Sequence, residues 1–242
     1  MVLYHTGGTM KGIVYQGKII DPGFDIEVVD GRTIKDPRPN IPDLWWDPKK
    51  DRRNCRERSE PIAGAVIHHQ AGEGDADNMF AVLNARPRRK RKGFVYLSVH
   101  FQIDQQGAIT QMADLMTVCK HAGNANGWCW GVEIANNGRG KPSSKWPRDS
   151  YTDMMHGRRT QYLAFYQAQK EATARLVKAV HTILGLGMSI PADEEGRWLR
   201  MELSDEEMEG HEVFGHANLT DNKPDPAPDM MDYLITTLPQ AA

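Results

Sequence analysis

Three short segments of this sequence carry side chains able to hold a metal ion and to work beside it: Val66-Ile67-His68-His69, Gly215-His216 and Lys223-Pro224-Asp225-Pro226. Zinc in a hydrolase takes three protein ligands and leaves a fourth position for water, so such a site needs three donors on rigid elements. It also needs a base and an electrostatic stabiliser. On a strand the side chains alternate faces, so only one of His68 and His69 can enter a given site. Proline disfavours the α region for the residue before it, so Pro224 extends Lys223 and Pro226 extends Asp225. Positions i and i+2 of an extended chain face one side, which sets the Lys223 ammonium beside the Asp225 carboxylate. Read singly, a histidine ending an apolar strand is more often structural, and a proline-rich segment is more often a surface loop.

The elements that must position these groups are legible in the pattern. Residues 63–69 form a short apolar run, a buried strand ending in the two histidines. Residues 75–86 read as a helix with aspartate near its start. Residues 95–104 and 108–112 flank Gln105-Gln106-Gly107, which has the composition of a hairpin turn. Residues 130–135 are another buried strand. A helix is expected over about 160–184, where Tyr162, Phe165, Tyr166, Gln169, Thr173, Leu176, Val177 and Val180 follow the 3.6 period. Gly185 and Gly187 stop it, and a last helix is expected over 231–238. Residues 1–36 alternate short β-favouring runs with turns, and 37–60 are a proline- and charge-rich linker carrying Trp45 and Trp46. The tryptophan pair is read as packing that linker on the main domain. The expectation is therefore an α/β fold, a central mixed β-sheet flanked by helices. A hairpin-rich arm and linker (1–60) precede the catalytic domain (61–242).

Bulk composition narrows the classes. The chain has 242 residues, 40% hydrophobic and 26% charged, which is globular composition. Its net charge of −2 gives no global field toward nucleic acid, and none is expected as a partner. No apolar run approaches the roughly 20 residues that span a bilayer. Residues 1–9 lack the features of a secretory signal, so synthesis in a cytoplasm without a signal peptide is expected. Three cysteines, Cys55, Cys119 and Cys129, are too few for a disulfide framework and are read as reduced, buried thiols. The basic run from Arg86 to Lys92 is read first as a solvated loop. The sharper alternative is a patch for an anionic envelope surface. A monomer is the default.

Taken together, the segments resemble the type 2 N-acetylmuramoyl-L-alanine amidases, the family of phage amidase lysozymes, anhydromuropeptide-recycling amidases and peptidoglycan recognition proteins. The matching pieces are VIHH at 66–69, SVHFQID at 98–104 followed by Gly107, HAG at 121–123, GVEI at 131–134, GH at 215–216 and KPDP at 223–226. They occur in the family's order. The resemblance implies that His68, His216 and Asp225 hold Zn2+, with His216 preferred to His211 by its spacing to Lys223. It implies Glu133 as general base, because Val99 stands where other members carry a tyrosine. Lys223 would stabilise the oxyanion. His121, Gly123, Asn124 and His69 fall on the substrate side, with Lys120 where the family usually has tryptophan, and His100 is read as core. The implied activity is hydrolysis of the amide between N-acetylmuramic acid and L-alanine of peptidoglycan or a muropeptide. The expected setting is a phage-type endolysin acting on the cell wall in the periplasm. The alternatives are a cytoplasmic recycling amidase and a non-catalytic peptidoglycan-binding protein.

Overall fold

The computed structural model describes residues 10–28, 55–75, 78–79, 83, 88–90, 93–95, 97–139 and 141–239. Its strands are β1 (Met10–Lys11), β2 (Ile13–Tyr15), β3 (Lys18–Ile20), β4 (Glu27–Val28), β5 (Cys55–Glu57), β6 (Gly64–His69), β7 (Arg88–Lys90) and β8 (Gly93–Val95). They continue with β9 (Phe101–Ile103), β10 (Ile109–Gln111), β11 (Thr117–Cys119), β12 (Cys129–Ile134), β13 (Ser150–Met155), β14 (Arg158–Leu163) and β15 (Val213–Gly215). The helices are α1 (Gln167–Leu184), α2 (Asp205–Met208) and α3 (Pro228–Thr237). Asn78, Met79 and Leu83 are also helical, within the helix expected over 75–86, and the Asp75 carboxylate accepts from the Asn78 N–H at 3.1 Å. No helix among the described residues is long and apolar enough to cross a membrane.

Seven strands form one mixed sheet in the order β1-β4-β10-β9-β12-β6-β15. β9, β12, β6 and β15 run parallel, while β10 returns antiparallel beside β9 through the turn at Gly107. β4 pairs with β10, so residues of the N-terminal arm extend the edge of this sheet. Trp45, Trp46 and the rest of the linker to residue 54 lie outside the described residues.

Period-two alternation sorts β6 and β12 into two faces. Ala65 and Ile67 join Trp130, Val132 and Ile134 in the main core, against Leu176, Val177 and Val180 of α1 and Met230, Met231 and Leu234 of α3. Val66 faces the other way, into a smaller cluster with Ala122, Ala125 and Cys129. His68 and Glu133 are therefore carried on this second face, and His69 on the first.

Three expectations need correction. The long helix begins at Gln167, not near residue 160, and Arg158–Leu163 is a strand paired with Ser150–Met155. His156 and Gly157 turn this hairpin with φ of 51° and 70°, the backbone that a two-residue hairpin loop requires. The apolar positions 162, 163, 165 and 166 imitate helical spacing, but Tyr166 is extended at the helix N-cap (φ −66°, ψ 150°). The run expected over 95–104 is likewise broken, because residues 97–100 leave the strand between β8 and β9. The last helix starts earlier than 231, with Pro228 in its first turn, where a missing N–H costs nothing.

Arg58 fastens the smaller layer. Its buried guanidinium donates to the carbonyls of Gly127 (2.6 Å), Cys129 (3.0 Å), Leu115 (3.2 Å) and Thr117 (3.3 Å). Arg58→Leu leaves these acceptors without their donor and is expected to destabilise the protein by about 2–4 kcal/mol, read from the urea midpoint. An unchanged midpoint would mean water replaces the guanidinium without loss.

Candidate metal centre

The three segments meet at the carboxyl ends of β6 and β15. β6 delivers His68, and β15 runs parallel beside it to Gly215, after which His216–Asn218 form one 3₁₀ turn. Gly215 allows this approach, since a Cβ there would sit 2.3 Å from the Trp198 ring and 2.9 Å from Pro226. Asn218 locks the turn by accepting from Gly215 N (3.0 Å) and Trp198 Nε1 (2.7 Å). Ala217 N donates to the Asp225 carbonyl at 2.8 Å and brings in the third segment.

The Nδ1 atoms of His68 and His216 lie 3.0 Å apart, and each is 3.2 Å from Asp225 Oδ2. Among the described residues this is the one group of three such donors. Tetrahedral zinc with bonds of about 2.0–2.1 Å separates its ligand atoms by about 3.3 Å, so the triangle has nearly the size of one face of that tetrahedron. All three residues are buried, at 2%, 8% and 6% exposure. Burial would raise the Asp225 carboxyl, but the bonds from His216 and His68 outweigh it and hold the group well below its ordinary range. Burial, then the neighbouring His216, pulls His68 down to about 4, so near neutrality its ring is uncharged and keeps a lone pair for a metal. The donor set fits zinc.

The other sequence-derived candidates fall in distinct places. Glu133 is the register partner of His68 across the parallel β12–β6 pair, on the same face. Lys223 precedes Asp225 in a segment held by the hairpin that the sequence reading missed. There His156 Nε2–H donates to the Lys223 carbonyl (2.9 Å) and the Tyr162 hydroxyl to that of Pro224 (3.3 Å). The His156-Gly157 dipeptide was the available signal for that hairpin. His121 lies against the cluster, its Nδ1 3.0 Å from His68 Nε2. Gly123 and Asn124 are exposed in the turn that follows. His69 faces away, packed so closely on Gly138 that a Cβ there would meet its ring. His211 is also apart, bonded to Ser189 Oγ at 2.8 Å.

His100 is a satisfied core residue. Its Nε2–H donates to the Thr117 carbonyl (2.8 Å), and its Nδ1 accepts from Gly131 N (3.1 Å). Val99 is fully buried in the cluster with Met79 and Cys119. The three cysteines are buried, and burial pushes the thiols of Cys119 and Cys129 up, so they stay protonated rather than offering thiolate ligands. Of the basic run only Arg88–Lys90 is described, as β7, and the rest lies outside the described residues.

Fold and cluster together define a mixed α/β protein with a two-histidine, one-carboxylate centre at the carboxyl ends of parallel strands. Residues 58–228 match the family model of N-acetylmuramoyl-L-alanine amidase, and the chain belongs to that family. No curated protein matches the chain. Similar solved structures include the N-acetylmuramyl-L-alanine amidase AmiD from E. coli, with 20% identity and a TM-score of 0.43 over 69% of this chain and 53% of that one. This chain thus spans about half the length of that amidase. AmpD (18%, TM-score 0.45) is covered to 86% by 74% of this chain. Drosophila PGRP-LB (11%, TM-score 0.45) is covered to 91% by 85% of it.

Two outcomes are expected. Zinc titration followed by elemental analysis should find one ion in the wild type and in His69→Ala and His211→Ala, and none retained by His216→Ala or Asp225→Ala. Zinc retained by His216→Ala would remove that residue from the ligand set. His100 is held at about 3 by burial first and then by Arg58, against about 6.5 in an unfolded chain. The unfolded state therefore binds more protons between those values. The stabilisation is full above about pH 6.5 and is lost as pH falls toward 3. His100→Gln should flatten the acid limb of the urea midpoint in zinc-free protein; an unchanged limb would acquit His100.

Proposed function

We propose that this protein is a zinc-dependent N-acetylmuramoyl-L-alanine amidase that cleaves the amide between N-acetylmuramic acid and the first L-alanine of peptidoglycan. The buried triangle of His68, His216 and Asp225, inside a chain of this family, is the observation that carries the reading. Those three residues would hold the ion, which supplies Lewis acidity toward a carbonyl oxygen and makes water more acidic.

The chain's own groups do the rest. Glu133, on the face of His68, takes the proton of the attacking water and returns it to the departing amine nitrogen. Lys223, two residues before Asp225, offers its ammonium to the tetrahedral oxyanion. The exposed turn at Gly123 and Asn124 would contact the substrate. The stretch before residue 58, outside the family match and containing Trp45 and Trp46, supports an endolysin setting over a recycling one. The protein would act as a monomer on the cell wall.

Incubation with sacculi, with and without a zinc chelator, should release stem peptides with a free L-alanine amine and leave the glycan intact, as read by mass spectrometry. Glu133→Ala and Lys223→Ala should each lower kcat by about 10²–10³-fold while keeping bound zinc. Cleavage of soluble anhydromuropeptides alone would move the protein to the recycling setting. Binding of zinc-loaded protein to sacculi without any cleavage would leave a receptor.

A further inference from the structure

We infer that His121 is a positioning residue for the metal centre: its Nδ1 accepts the Nε2 proton of His68 and thereby fixes that ligand's tautomer and ring plane. This rests on the reading of His68, His216 and Asp225 as the zinc ligands.

The proton positions follow from the geometry. His68 turns Nδ1 to His216 and Asp225 and Nε2 to His121, at 3.0 Å. A neutral imidazole carries one proton, and a nitrogen that binds a metal must be the bare one. His68 therefore keeps its proton on Nε2, donates it to His121 Nδ1, and obliges His121 to be the Nε2–H tautomer. A metal-bound histidine commonly gives its second N–H to a carboxylate, a carbonyl or water. His68 is only 2% exposed, and the partner of that nitrogen is a second imidazole. The rings stand edge to face, with centroids 5.2 Å apart and planes at 88°.

The surroundings hold His121 to this task. Asn126 Oδ1 accepts from the backbone N–H groups of His121 (2.9 Å) and Ala122 (2.7 Å), closing the loop that presents the ring. The ring lies over Gly131, where a Cβ would stand 2.5 Å from its Cε1 and Nδ1. Gly131 is in turn fixed by its N–H bond to His100. His121 Nε2 is buried with no hydrogen-bond partner, a cost of about 1–3 kcal/mol that an apolar side chain here would avoid. An imidazole retained at that cost points to the task done by its other nitrogen.

The test uses the full chain and reads zinc affinity by competition with a chromophoric chelator, together with the visible spectrum of the Co2+-loaded protein. His121→Leu removes the acceptor, whereas His121→Asn places Oδ1 where Nδ1 stood. The leucine variant should bind zinc about 10–100-fold more weakly and shift the cobalt bands, and the asparagine variant should restore both to near wild type. Equal affinity and spectrum in the leucine variant, or no recovery in the asparagine variant, would overturn the inference. Should the leucine variant not fold, ¹⁵N spectra of zinc-loaded wild type decide: His121 must show a bare Nδ1 and a protonated Nε2, and the opposite tautomer refutes it. A wild type that binds no zinc brings down the metal reading itself, an outcome distinct from variants that bind equally well.

Discussion

Holding three electron-rich atoms 3.0–3.2 Å apart, away from water, is costly unless a cation or shared proton lies among them, and most of the local architecture serves that arrangement. His68 comes from the carboxyl end of one strand, His216 from the turn after a neighbouring strand, and Asp225 from the segment that follows that turn. No two neighbouring elements could supply all three. The parallel pairing of β6 and β15 sets the two histidines side by side, and the backbone bond from Ala217 to Asp225 adds the carboxylate.

The two faces of the sheet divide the work. One face is packed by α1 and α3 into the main apolar core, and this core makes the strands rigid. The other is a thinner layer in which polar groups are bonded in series. Arg58 ties carbonyls around it, His100 links Thr117 to Gly131, and Asn126 shapes the loop of His121. A site on that face gains precision from the core behind it. Similar logic governs the entry to α1, where Arg148 donates to Ala135, Ala164 and Gln169 and stacks on Tyr166.

The β13–β14 hairpin shows how a peripheral element can control the centre. It makes no strand of the main sheet, yet His156 and Tyr162 each bond a carbonyl of the segment carrying Lys223 and Asp225. Arg200 bridges Asp153 of this hairpin to Asp232 of α3, so the support runs back to the core helix. The position of the segment carrying Asp225 is thus set by residues some 60–70 places away in sequence.

The sequence by itself determined which residues could enter the centre. Apolar runs marked β6 and β12, alternation allowed one histidine of the pair, and the two prolines extended the backbone around Asp225. These are local constraints, set by sterics and period, and β6, β12 and α1 beyond Gln167 follow them. The sequence misplaced the start of α1, because apolar residues at 162, 163, 165 and 166 satisfy helical spacing as well as the end of a strand leading into a cap. Only pairing with β13 resolves that ambiguity. Nor could spacing tell that His121 reaches the far nitrogen of His68, or that Trp198 and Asn218 lock the turn of His216. Those contacts join residues 53, 17 and 3–20 positions apart. Tertiary structure decided them because a side chain's hydrogen-bond partner is chosen by the packing of whole layers, which no local pattern encodes.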